Sequence, residues 1–118
     1  MTSHSFGISR TAWMAFPVLA ALLLPLATPR AMAAASDVTV KIDNFTFSPA
    51  DLTITPGTTV TWINNDDIPH TIVETEKTFR SKALDTDDKY SFTFTTSGEF
   101  SYFCSLHPHM TGKITVKP

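Results

Sequence analysis

The chain has a single cysteine in 118 residues. No intramolecular disulfide is possible, so an unpaired thiol in an exported protein needs another role. Basic residues are also few, nine Lys and Arg against eleven Asp and Glu, and the basic footprint that nucleic-acid binding requires is missing. A membrane-spanning run is absent as well. The uncharged stretch Ala12 to Ala27 is broken by Pro17 and Pro25 and falls short of the ~20 apolar residues a spanning helix needs. No repeat, low-complexity segment or internal linker divides the sequence, and nothing after this stretch has helical periodicity.

The N-terminus instead reads as a secretory signal peptide over residues 1–35. Arg10 precedes the apolar run, and Ala31-Met32-Ala33 and Ala33-Ala34-Ala35 supply small-residue cleavage sites. No paired arginines precede the run, so a twin-arginine route has no support. Cleavage after Ala33 or Ala35 leaves about 83 to 85 residues, one domain over 36–118, and places the product in the periplasm, with no membrane attachment. Losing Arg10 and Arg30 takes the basic count from nine to seven, a net charge of about −4 with histidine neutral. A domain this small buries a modest fraction of its surface, and a bound ligand would add to its stability.

What remains is patterned for strands. Val38, Val40 and Ile42 alternate with polar residues, as do Leu52 and Ile54, Val60 and Trp62, the trio Tyr90, Phe92 and Phe94, Phe100 and Tyr102, and Ile114 and Val116. Pro56-Gly57 suits the centre of a type II turn, and Ser97-Gly98 separates two aromatic strands. The expectation is an all-β fold, a Greek-key sandwich or barrel of about seven to eight strands. The polar stretch Glu76 to Asp88 is expected to be a loop pinned by Phe79 or Leu84.

Cleavage concentrates the chemistry. The remaining Cys and Met share one seven-residue stretch, Cys104-Ser105-Leu106-His107-Pro108-His109-Met110, and the remaining histidines are His70, His107 and His109. Residues two apart on a strand face one side, so Phe100, Tyr102 and Cys104 point together, with Cys104 at the strand end. The same parity pairs His70 with Ile72 on a strand bounded by Pro69. Taken alone, Cys104 reads as a small buried hydrophobe and Met110 as a core residue. The joint spacing of thiolate, imidazole and thioether, with His70 brought alongside, instead matches a Cys and two His with a weak axial Met, the ligand set of blue-copper electron transfer. Zinc prefers four strong ligands in a closed set, for which a thioether is a poor fourth. His109 reads as a solvated loop histidine, and Asp85, Asp87 and Asp88 as a solvated face.

Pro56-Gly57, Val60, Trp62, Asn64, Asp66-Asp67 and Pro69-His70, followed by Phe103 and the Cys104 to Met110 loop, resemble the cupredoxins, and the short loop is most similar to the amicyanin type. The resemblance covers essentially the whole mature chain. It implies a cupredoxin barrel with one copper ion, cycling between cuprous and cupric states, held by His70, Cys104 and His107 with axial Met110. It also implies a monomeric carrier, not an enzyme, working between redox proteins such as a c-type cytochrome and a periplasmic dehydrogenase. Two positions depart from the pattern. Thr71 stands where family members often have Asn tying the two ligand loops together, and His109 lies within what is typically an apolar docking patch.

Two other classes use overlapping residues. A periplasmic copper-delivery or resistance protein calls for exposed Met or His clusters, which are missing apart from His109. A thiol enzyme built on Cys104 calls for a group to orient its base and a helix N-terminus to activate the thiol, and the sequence has neither.

Overall fold

The computed structural model describes residues 1–4, 7, 12, 14, 15, 17–27 and 36–118. The chain forms two compact units, Met1–Ala31 and Met32–Pro118. Among the described residues of the first, none lies in a helix or strand, and no described helix is long and apolar enough to cross a membrane. Arg10 and the expected cleavage sites at Ala33 and Ala35 lie outside the described residues.

The second unit carries eight strands: β1 (Asp37–Asp43), β2 (Thr46–Ser48), β3 (Asp51–Ile54), β4 (Thr58–Asn64), β5 (Val73–Glu74), β6 (Lys89–Phe94), β7 (Gly98–Phe103) and β8 (Thr111–Val116). They form two four-stranded sheets, ordered β2-β1-β4-β6 and β3-β8-β7-β5. The chain passes repeatedly from one sheet to the other, so the sequence neighbours β3 and β4 lie in different sheets, while β1 pairs in parallel with β4 and β3 with β8. This is the all-β sandwich that the alternating runs predict. The alternation itself is the reason: Val40, Ile42, Val60, Trp62, Phe94, Tyr102, Ile114 and Val116 are all buried, while their polar neighbours face outward, where Thr59–Thr93 and Thr61–Ser91 form hydroxyl pairs across β4 and β6.

The core is unusually aromatic. Trp62 packs against Tyr102, Phe79 and Tyr90 at ring-centroid distances of 5.4, 5.6 and 5.9 Å, and Phe47 meets Tyr102 at 4.8 Å. Offset and edge-on pairs such as these contribute about 0.5–1.5 kcal/mol each beyond area burial. Gly57 has φ +92° and Thr58 N–H donates to Thr55 carbonyl O at 3.3 Å, the type II turn that Pro56-Gly57 predicts.

Two local features differ from the sequence expectation. Thr46–Ser48 forms a short strand on β1 that its length conceals. His70 is not on a continuous strand with Ile72: β5 begins at Val73, and His70 is held by an isolated bridge to Leu84. The segment 70–74 therefore pairs irregularly with the stretch expected to be a loop, through His70–Leu84, Val73–Arg80 and an Ile72–Ser81 contact. Phe79 and Leu84 do pin that stretch, both being almost fully buried.

Close packing at one glycine yields a test. Gly112 on β8 lies directly across from Tyr102 on β7, and a Cβ at Gly112 would overlap the Tyr102 ring. Because Tyr102 packs against Trp62 and Phe47, a displaced ring would disturb these contacts. Gly112→Ala should cost about 1–3 kcal/mol of stability as overpacking, read from the midpoint of urea unfolding, and an unchanged midpoint would show that the ring repacks freely.

Candidate metal centre

Strand β7 delivers Cys104 to the end of the sandwich with its side chain fully buried, as the parity of Phe100, Tyr102 and Cys104 requires. The chain then makes two consecutive tight turns before β8 starts. His107 N–H donates to Cys104 O at 3.2 Å, Met110 N–H donates to His107 O at 2.9 Å, and Cys104 N–H donates to Met110 O at 3.0 Å. These bonds fold Cys104, His107 and Met110 back on one another. Met110 is buried and His107 partly exposed.

His70 arrives from the other side, in the connection between β4 and β5. Asn64, at the end of β4, shapes that connection: its side-chain amide donates to Ile68 O and Leu84 O, both at 2.8 Å, and its carbonyl accepts from Asp66 N–H at 2.9 Å. With its polar atoms so used, a buried Asn stabilises the turn instead of destabilising it.

The two paths bring Cys104 Sγ within 3.8 Å of His70 Nδ1 and 3.7 Å of His107 Nδ1, and the three candidate ligand atoms all lie within 4.8 Å of one another. One buried thiol and two imidazole nitrogens directed at the same point form a soft donor set. It fits a thiophilic metal ion, copper being one that also accepts a weak fourth ligand. His109 is exposed, the solvated position expected of it.

Sequence reasoning did not assign a role to Asp66. Its carboxylate lies 2.7 Å from His70 Nε2, and since an ionised carboxylate can only accept, that nitrogen carries the proton and leaves Nδ1 bare toward Cys104. Burial alone would push the Asp66 carboxyl up; the N–H groups of Phe45 and Asn44 and the neighbouring His70 ring outweigh this and hold it below its ordinary value. A carboxylate four residues before His70 was the available signal.

Phe45 was also missed. Asn44 and Phe45 both have positive φ, 48° and 58°, unusual for non-glycine residues and most so for a bulky one. Their N–H groups donate to Asp66 at 2.7 and 3.1 Å, which holds them there. The Phe45 ring then stands edge-on to His107 at 5.0 Å and His70 at 5.7 Å. No sequence pattern announces this, because the conformation depends on a partner 21 residues away. Phe45 and Leu106 are each 51% exposed, and with His107, Pro108, His109 and Met110 they line a shallow apolar depression beside the candidate ligands.

Thr71, the departure from the cupredoxin pattern, does join the loops. Its N–H donates to Cys104 Sγ at 3.3 Å, and its hydroxyl accepts from Ser105 N–H at 2.7 Å.

Comparison with known proteins agrees with this arrangement. The family described as copper binding proteins, plastocyanin/azurin family, matches residues 34–117. The amicyanin of Paracoccus denitrificans is 33% identical over 101 residues, covering 80% of this chain and 77% of that protein. The plastocyanin of Scenedesmus fuscus is 39% identical over 98 residues, covering 69% of this chain and 100% of that protein. Among solved structures, a purple cupredoxin from Nitrosopumilus maritimus is similar with a TM-score of 0.65 at 35% identity, covering 69% of this chain and 100% of that one.

Because one carboxylate orients His70 and also anchors the Phe45 turn, Asp66→Ala should weaken copper binding by about 10- to 100-fold, the usual cost of losing such a partner. Asp66→Asn, which keeps an acceptor but not the charge, should fall between. Competition with a chelator of known affinity measures both, and an unaltered affinity in the Ala variant would mean that packing alone orients His70.

Proposed function

Given that the chain belongs to the plastocyanin/azurin family of copper binding proteins, we propose that it is a periplasmic blue copper protein passing single electrons between larger redox proteins. His70, Cys104 and His107 are the three strong ligands in this reading, and Met110 is the weak axial one. The observation that carries it is the convergence of His70 Nδ1, Cys104 Sγ and His107 Nδ1 within 4.8 Å at the edge of an apolar core. Bound there, copper supplies a one-electron couple between its cuprous and cupric states, with the ligand set acceptable to both.

Each residue has a distinct part. Cys104 and His70, both fully buried, anchor the ion on the sandwich. His107, on the short loop and partly exposed, completes the trigonal set and presents its edge to a partner. Met110 closes the site and, as a weak donor, tunes the reduction potential. In this reading the protein is a carrier and not an enzyme.

Export to the periplasm rests on the signal-like N-terminus, with cleavage after Ala33 or Ala35. The partners that suit it are a c-type cytochrome as acceptor and a periplasmic dehydrogenase as donor, docking in turn on the apolar depression around His107. Phe45, Leu106 and Pro108 would exclude water from the electron path there. Nothing in its acidic balance suits nucleic acid, and the carrier acts as a monomer.

The protein loaded with cupric copper should be intensely blue, since a short bond from thiolate to copper gives strong charge transfer in the visible. Cys104→Ser should abolish the colour, and a colourless copper adduct of the folded wild type would sink the reading. Leu106→Asp, which puts a charge on the apolar rim, should leave the spectrum unchanged. It should also slow transfer to the physiological partner at least tenfold, equivalent to ~1.4 kcal/mol of docking free energy. An altered spectrum with normal transfer would contradict the docking assignment.

A further inference from the structure

The hydroxyl of Thr71 touches three polar atoms, and counting its bonding capacity assigns its proton. Thr71 Oγ1 lies 2.7 Å from Ser105 N, 2.8 Å from Ser105 Oγ and 3.7 Å from Cys104 Sγ. A hydroxyl has one proton and two lone pairs. The Ser105 N–H fills one lone pair, leaving two arrangements of the hydroxyl pair. Either Ser105 Oγ–H fills the second lone pair and the Thr71 proton turns to the sulfur, or Thr71 donates to Ser105 and the sulfur receives only the Thr71 N–H.

Charge decides between them. A thiol that coordinates a metal is deprotonated, and a hydrogen bond to an ionised acceptor is about twice as strong as a neutral one. The sulfur is fully buried, so no solvent competes for the proton. Ser105, by contrast, is exposed, and water can meet the rest of its needs. With the proton on the sulfur side, every lone pair and proton of Thr71 Oγ1 is used.

We propose that the Thr71 side chain is a positioning and tuning residue that gives the Cys104 thiolate a second hydrogen bond, beside the one from its own N–H. The inference rests on the copper reading above and adds a role for the residue that departs from the cupredoxin pattern. Two donors draw charge from the sulfur and weaken its donation to the metal. Cupric copper depends on that donation more than cuprous copper does, so the second bond favours the reduced state and raises the potential. The bonds to Ser105 also fix the distance between the two ligand loops.

The test uses the copper-loaded protein, with the reduction potential from voltammetry and the position of the charge-transfer band as readouts. Thr71→Val keeps the shape and removes the hydroxyl; it should lower the potential and move the band to longer wavelength, because an unbonded thiolate holds its electrons less tightly. Thr71→Ser should restore both values. Where the Val variant fails to hold copper, Thr71→Ala takes its place. Ser105→Ala separates the two proton arrangements: an unchanged potential agrees with the proton on sulfur, whereas a rise means that Thr71 had been donating to Ser105 and overturns the proposal. An unmoved potential and band in the Val or Ala variant overturns it as well. A wild type that binds copper without colour is a different failure, of the site reading itself.

Discussion

The hydrogen bonds that Thr71 donates to Cys104 and accepts from Ser105 join two loops 33 to 34 residues apart in the chain. The candidate centre exists only where those loops meet. One carries His70 on a turn shaped by Asn64; the other carries Cys104, His107 and Met110 on two tight turns closed by backbone bonds. Together with the pairing of Val73 and Phe103 between β5 and β7, the Thr71 link sets the spacing between the imidazole of one and the sulfur of the other. A ligand misplaced by about an ångström is a common way for such a site to fail.

The sandwich makes the link possible. Trp62, Tyr102, Phe79 and Phe47 form a contiguous aromatic core, and Tyr102 sits two residues before Cys104 on the same strand. Burying a side chain of this class contributes on the order of 1.5–3 kcal/mol, so the strand that ends in Cys104 is among the most firmly held parts of the molecule. His70 is fastened differently, by Leu84, Asn64 and Asp66. Rigid aromatic packing secures one candidate ligand, and a polar network secures the other.

The two histidines consequently differ in what they can do. His70 is fully buried with both ring nitrogens engaged, one toward Asp66 and one toward the sulfur. His107 is partly open, and Phe45 and Leu106 surround it with exposed apolar surface. Asp66 ties these roles together, because the carboxylate that orients His70 also holds Phe45 in its left-handed conformation. The buried candidate ligand and the surface around the exposed one thus share a single anchor.

Much of this was legible in the sequence. Period-two alternation marked the strands, since half-buried strands must put apolar residues on one side, and the crowding of Cys104, His107 and Met110 into one loop marked the chemistry. Parity correctly placed Cys104 with Tyr102 but misread His70, whose segment lacks a regular ladder and is held by a bridge to Leu84. Local patterns cannot report such a contact, because pairing partners far apart in sequence are chosen by packing.

By itself, then, the sequence determined the all-β class, the alternating core and a loop of soft candidate ligands, because these follow from periodicity and residue chemistry within short windows. Only the tertiary structure decided that Asp66 orients His70, that Phe45 covers both imidazoles and that Thr71 bonds the cysteine sulfur. Each depends on atoms brought together across 4 to 62 residues of chain, at distances where a shift of one ångström makes or removes a contact.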